Sequence, residues 1–205
     1  MITVREVSLT REVLEEIRRI DLEFYPNIGL IDWYLSRYKP WHSAFAAMDA
    51  ETLVGYFVAV PVRKELYDAI LNGVLVDDMG INPDMYLKES EYYYAVSIVI
   101  QEAYRGQNIS RQLLDAYFSK YPDKKTCLLA VSKGGFHLAE HYFSRVKATS
   151  ENVGVFVSQA RTKKNILYLS AGKQTSAYTY KEPVTGEQQP RENLHAVVTP
   201  VINMS

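Results

Sequence analysis

Residues 98–114 read IVIQEAYRGQNISRQLL, from Ile98 to Leu114, and the fold turns on them. The stretch leaves a run dense in β-branched and aromatic residues, 92–100 (YYYAVSIVI), which suits a central strand. It then passes an Arg-Gly pair and an asparagine and enters an amphipathic helix. From Ile109, the residues Leu113, Leu114, Tyr117, Phe118 and Tyr121 form one apolar stripe, and Pro122 stops it. A strand, a turn with a small residue and a helix starting at that turn is an arrangement that binds phosphate. The first helical amides lack intrahelical partners, and the helix dipole puts partial positive charge at the same end. Gly106 lets a ligand approach the backbone, while Arg105 and Arg111 add formal positive charge. The plainer reading of the same residues is that Asn108 N-caps a core helix.

Working outward, residues 2–7 alternate as a short strand. Thr10 is an N-cap, Val13, Leu14, Ile17 and Ile20 follow helical spacing, and Leu9 is placed to staple onto Leu14. After the break at Pro26-Asn27-Ile28-Gly29, an aromatic segment of helical character (Trp33, Tyr34, Tyr38) ends near Pro40. Residues 43–49 and 52–62 flank Ala50-Glu51 as a hairpin, and 64–72 are helical in pattern. Beyond the central strand and its helix, 126–131 is a short buried strand and 135–146 a helix carrying Phe136, Ala139, Phe143 and Val146 on one face. Residues 153–158 and 165–170 are two further strands. From Ala171 the chain turns rich in Lys, Gln, Thr, Glu and Pro, so 171–205 is set apart from the 1–170 domain as an extension that is partly irregular, with an edge strand at 194–202.

Composition narrows the function. With 205 residues and a net charge of -1, the chain carries no global basic field for nucleic acid or an anionic membrane. No apolar run reaches the roughly 18–20 residues of a membrane span, and the N-terminus lacks the layout of a signal peptide. Cys127 is the only cysteine, so no intrachain disulfide forms; it reads as a core residue. A reducing, cytoplasmic setting is the expectation.

Over 97–118 the sequence resembles the GNAT superfamily of acetyl-CoA-dependent N-acetyltransferases, in which a central strand runs into V-x-P-x-Y-R-G-x-G-I-G/A-x-x-L-L. Arg105 opens the matching core. The family's first core glycine is Asn108 here and its second Ser110. In element order the resemblance extends over about residues 2–170. It implies an α/β (α+β) fold with a mixed, mostly antiparallel sheet flanked by helices. The expected reaction is acetyl transfer from acetyl-CoA to a primary amine by direct attack in a ternary complex.

Residue by residue, the resemblance places the pantetheine arm along Val99 and Ile100, with Ile100 as oxyanion donor. The pyrophosphate falls on Arg105, Gly106, Gln107, Asn108, Ile109, Ser110 and Arg111. The family's Ala-x-x-x-Tyr spacing from Ala139 lands on Phe143, so the adjacent Tyr142 is the candidate acid. Ser132 stands in for a helix-start asparagine, and Tyr94 occupies the position of a strand glutamate that serves some members as base. The acceptor would enter over 21–41 and 63–91, where Tyr25, Trp33, Asp77 and Asp78 are the candidates, and aromatic walls with carboxylates favour a cationic amine, on a small molecule or a peptide. Two other readings stand beside this one. The substituted glycines suit a CoA-binding regulatory module, and His137-Leu138-Ala139-Glu140-His141 matches the inverted zinc-peptidase pattern. A homodimer through 194–202 is a candidate assembly.

Overall fold

The computed structural model describes residues 1–26, 29–74, 81–130, 132–150, 153–158 and 166–169, the backbone alone for 144–150, 153–154 and 166–169. Its elements run β1 (Ile2–Ser8), α1 (Arg11–Asp21), α2 (Ile31–Arg37), β2 (Ser43–Asp49), β3 (Thr52–Pro61), α3 (Lys64–Leu71), β4 (Tyr92–Ile100), α4 (Ile109–Lys120), β5 (Lys125–Ala130), α5 (Lys133–Tyr142), β6 (Ser144–Ser150), β7 (Val153–Ser158) and β8 (Ile166–Leu169). The described strands form one sheet in the order β1-β2-β3-β4-β5-β7-β6-β8. The pairs β4–β5 and β6–β8 are parallel and the remainder antiparallel. This is the mixed, mostly antiparallel sheet expected.

Alternation along the strands sorts the core into two layers. One face carries Tyr56, Val58, Val60 and Tyr94 against Leu14, Ile17 and Ile20 of α1, Tyr34 of α2, and Leu66, Tyr67 and Ile70 of α3. The other carries Phe57, Ala59, Tyr93 and Ala95 against Leu113, Leu114, Tyr117 and Phe118 of α4 and Phe136 and Ala139 of α5. Thr10 caps α1 by accepting the Val13 N–H at 3.4 Å, and Leu9 and Leu14 are buried in the same cluster. Cys127 is fully buried, and that burial pushes its thiol pKa up, as suits a packing residue.

Two features depart from the sequence reading. The helix expected over 135–146 starts at Lys133 and ends at Tyr142. Phe143 is extended, at φ -126° and ψ 157°, and 144–150 pair with β7 as a strand. Sheet pairing, which a single-helix pattern cannot register, overrides the apolar stripe there. The second feature is a bulge. Val58 pairs with Ser97 but Ala59 with Ala95, so Val96 is an extra residue in β4. A bulge bends its strand and sharpens the local twist, and β4 stops pairing with β5 at the same level, after Ala95↔Leu128.

Candidate active site

Beyond that bulge β4 and β5 part, and a cavity of about 130 Å³ opens between them. It passes through the sheet. Val96, Ser97, Val99 and Leu129 line it from the α1–α2 layer, and Phe57, Ile98, Leu114, Leu138, Ala139 and Phe143 from the α4–α5 layer. The Gln101 N–H donates to the Val54 carbonyl of β3 at 3.0 Å. Backbone polar groups alternate sides along a strand, so those of Val99 and Ser97 also turn toward β3. Those of Ile98 and Ile100 turn toward the gap left by β5. Beyond the bulge β4 thus has an internal strand edge inside an otherwise continuously paired sheet.

β4 delivers the chain to the turn. Glu102–Tyr104 make one 3-10 turn, Arg105 is extended, and Gly106 and Asn108 both take left-handed conformations at φ 78° and 64°. A side chain at Gly106 would meet nothing within 4 Å, so the glycine is there for its backbone angle. Asn108 is among the few other residues that adopt that angle readily. It occupies the N-cap position of α4, but its side chain makes no capping bond; Ser132 caps α5 by accepting the Gly135 N–H at 3.1 Å. The first intrahelical bond of α4 runs from the Gln112 N–H to the Asn108 carbonyl, so the amides of Ile109, Ser110 and Arg111 precede the ladder. The cap reading of Asn108 therefore gives way to a turn whose helix start is left for another acceptor. The Arg105 guanidinium lies 4.5 Å over the Phe24 ring and donates to the Ile100 carbonyl at 3.4 Å, which ties the turn both to α1's exit and to β4.

The remaining predicted residues divide. Val99, Ser132 and Tyr25 line the cavity, and the Ile100 carbonyl accepts from Arg105. Gln107 is exposed in the turn. Trp33 is engaged elsewhere, edge-on to Tyr34 at 5.1 Å and beneath the Arg37 guanidinium at 4.4 Å. Tyr94 is buried where β4 still pairs with β5, opposite Cys127, away from the cavity lining. The Tyr142 hydroxyl donates to the Arg111 carbonyl at 3.4 Å, its ring stacked on Phe118, and Phe143 is the residue that faces the cavity. Asp77, Asp78 and 194–202 lie outside the described residues. His137 and His141 are exposed on α5, with Glu140 3.6 Å from His137. Among the described residues no three His, Cys, Asp or Glu side chains gather to hold a metal, and no helix is long and apolar enough to cross a membrane.

Three cavity features escaped the sequence reading. Ile98 faces the gap in place of Val99 with its backbone because the bulge sets the phase. Gly55 sits opposite Ile100, and a Cβ there would stand 2.6 Å from the Ile100 Cδ1. Ser97 is tied through Tyr56 to the buried Asp21: the Tyr56 oxygen is 3.1 Å from Ser97 Oγ, and the Tyr56 hydroxyl donates to Asp21. Burial, followed by the Asp21 charge, raises the Tyr56 pKa well above that of an ordinary phenol, so Tyr56 keeps its proton.

Comparison with known proteins agrees with this architecture. A profile of the acetyltransferase (GNAT) family matches residues 11–145. No curated protein matches the chain in sequence. Among solved structures, the fold is similar to NAA60 of Arabidopsis thaliana in complex with acetyl-CoA, at 17% identity and TM-score 0.52 over 78% of this chain and 99% of that one. It is also similar to ElaA of Escherichia coli, at 12% identity and TM-score 0.52 over 78% and 100%. The ribosomal-protein-S18-alanine N-acetyltransferase of Escherichia coli aligns at 11% identity and TM-score 0.50 over 85% and 98%. The chain belongs to the acetyltransferase (GNAT) family, as an acyltransferase with acetyl-CoA as its co-substrate.

Proposed function

We propose that the chain transfers the acetyl group of acetyl-CoA to a primary amine, on a small molecule or a peptide, by direct attack with both substrates bound. The observation that carries the reading is the cavity through the sheet beside β4, the strand whose chain leads on to the uncapped start of α4. The inward polar groups of Ile98 and Ile100 suit an extended amide-bearing arm that adds to β4 as a missing strand would. The amides of Ile109, Ser110 and Arg111, with Arg105 and Arg111, suit a pyrophosphate. The thioester would then lie in the slot, its carbonyl oxygen met by a β4 amide. Access from the α1–α2 layer, past Tyr25, leaves the acceptor a separate entrance.

In this reading Val99 and Ser132 contribute walls, and Gln107 and Gly106 shape the phosphate turn. Tyr142 supports that turn through the Arg111 carbonyl. Tyr94 and Trp33 serve the core, and the chemical step is carried by positioning and by backbone donors.

The test is isothermal titration with acetyl-CoA of the unaltered chain and of Arg105→Glu. The charge reversal is expected to abolish measurable binding while the thermal midpoint stays within a few degrees, because Arg105 is exposed. Equal affinity in the two proteins would overturn the assignment of the turn.

A further inference from the structure

We propose that Ser97, charged through Tyr56 by the buried Asp21, is the subsite that receives the nitrogen of a cationic acceptor amine. This rests on the transferase reading above and deepens it by naming the acceptor's contact and its charge.

Asp21 is the last residue of α1 and only 5% exposed. A carboxylate at the negative end of a helix dipole is disfavoured, and burial adds to the cost. Two phenols offset it. Tyr34 donates to Oδ2 at 2.7 Å and Tyr56 to Oδ1. A phenol has one proton, and Tyr56 gives it to the carboxylate. The 3.1 Å contact between the Tyr56 oxygen and Ser97 Oγ must therefore be a bond that Ser97 donates. Ser97 thus spends its only proton inward. What its oxygen retains is acceptor capacity, with a negative charge two hydrogen bonds behind it.

Ser97 is half-buried and lines the cavity on the α1–α2 side, one residue before Ile98, whose backbone groups face the slot. The bulge puts it there. Val96 and Ser97 both lie on the α1–α2 face, so the serine faces the acceptor layer while the β4 amides that follow face the gap. An acceptor-only oxygen backed by a carboxylate favours an N–H donor that carries positive charge.

Two isosteric ligands test this without a known acceptor. S-(2-aminoethyl)-CoA tethers an ammonium beyond the sulfur, and S-propyl-CoA replaces that group with a methyl. Titration calorimetry on the unaltered chain is expected to favour the aminoethyl ligand about tenfold, the equivalent of one charge-assisted hydrogen bond. Ser97→Ala, Tyr56→Phe and Asp21→Asn should each bring the preference to within about twofold of unity while leaving S-propyl-CoA affinity unchanged. Three separate variants guard against one that fails to fold. No preference in the unaltered chain, or a preference that survives Ser97→Ala, overturns the subsite and leaves the CoA site standing. Failure of both ligands to bind overturns the transferase reading and the subsite together.

Discussion

Replacing Gly106 by alanine isolates the backbone from everything else in the turn. The added methyl would meet no atom within 4 Å, so no packing term enters. What remains is the left-handed angle of 78°, which costs an L-residue about 1–2 kcal/mol. That cost has two places to go. If the turn keeps its shape, folding bears it and the thermal midpoint falls. If the exposed turn relaxes to a negative angle, the amides of Ile109 to Arg111 no longer converge. Acetyl-CoA affinity then falls by roughly 5–30-fold, the same free energy expressed as binding. Calorimetric titration and thermal melts on the same samples measure both. The two losses together should amount to about 1–2 kcal/mol, and Gly106→Asn should lose less because asparagine tolerates the angle. An alanine variant with unchanged affinity and unchanged midpoint would refute the reasoning, since it would mean the turn needs neither the angle nor the ligand.

Other outcomes follow from local geometry. Gly55→Ala would drive a Cβ to 2.6 Å from the Ile100 Cδ1 and 3.1 Å from the Val99 carbonyl. It should cost about 1–3 kcal/mol in denaturant melts, with weakened acetyl-CoA binding because Ile100 must shift. Ala50 is left-handed at φ 51° in the β2–β3 hairpin. Ala50→Gly should therefore raise stability by about 0.5–1 kcal/mol, the relief of strain less the added unfolded-state entropy. His42 is buried, accepts the Lys39 N–H at Nδ1 and donates from Nε2 to the Leu87 carbonyl. Burial lowers its pKa below 6.5, against the raising effect of the Leu87 carbonyl. Its folded pKa lies below its unfolded one, so its contribution is complete above about pH 6.5 and is lost as pH falls through the folded value. Thermal midpoints of the unaltered chain should drop between pH 7.5 and 5 more steeply than those of His42→Gln.

The parts legible in the sequence are those whose chemistry is local. Thr10 followed by an i, i+3, i+4 apolar pattern announces α1. Gly106 and Asn108 announce a turn before a helix, and YYYAVSIVI announces the strand that feeds them. The rest depends on residues far apart in the chain. Asp21 and Tyr56 are 35 positions apart, and Tyr56 and Ser97 are 41. Taken singly they are a helix-end carboxylate, a strand tyrosine and a strand serine. Nothing in β4 marks Val96 as supernumerary, because the bulge arises from pairing with β3. Tyr142 and Phe143 show how one position decides a role. Tyr142 closes α5 and turns its hydroxyl onto α4, while Phe143, already extended, leaves its phenyl ring in the slot.

The parting of β4 and β5 also bears on how the molecule holds together. Within the described sheet the first four strands and the last four are joined by one seam, Tyr92 to Ala95 against Lys125 to Leu128. Helix α3 straddles that seam on one face; on the other, α4 packs over the first four strands and α5 over β5 to β7, and the two helices touch. The two halves thus meet through a short zipper, and opening that seam is a sub-global excursion that the topology offers. A ligand laid along the open edge of β4 lengthens the zipper from the inside. Protection of the seam amides against hydrogen exchange would then rise with ligand concentration, while amides at the outer edge in β1 would exchange as before.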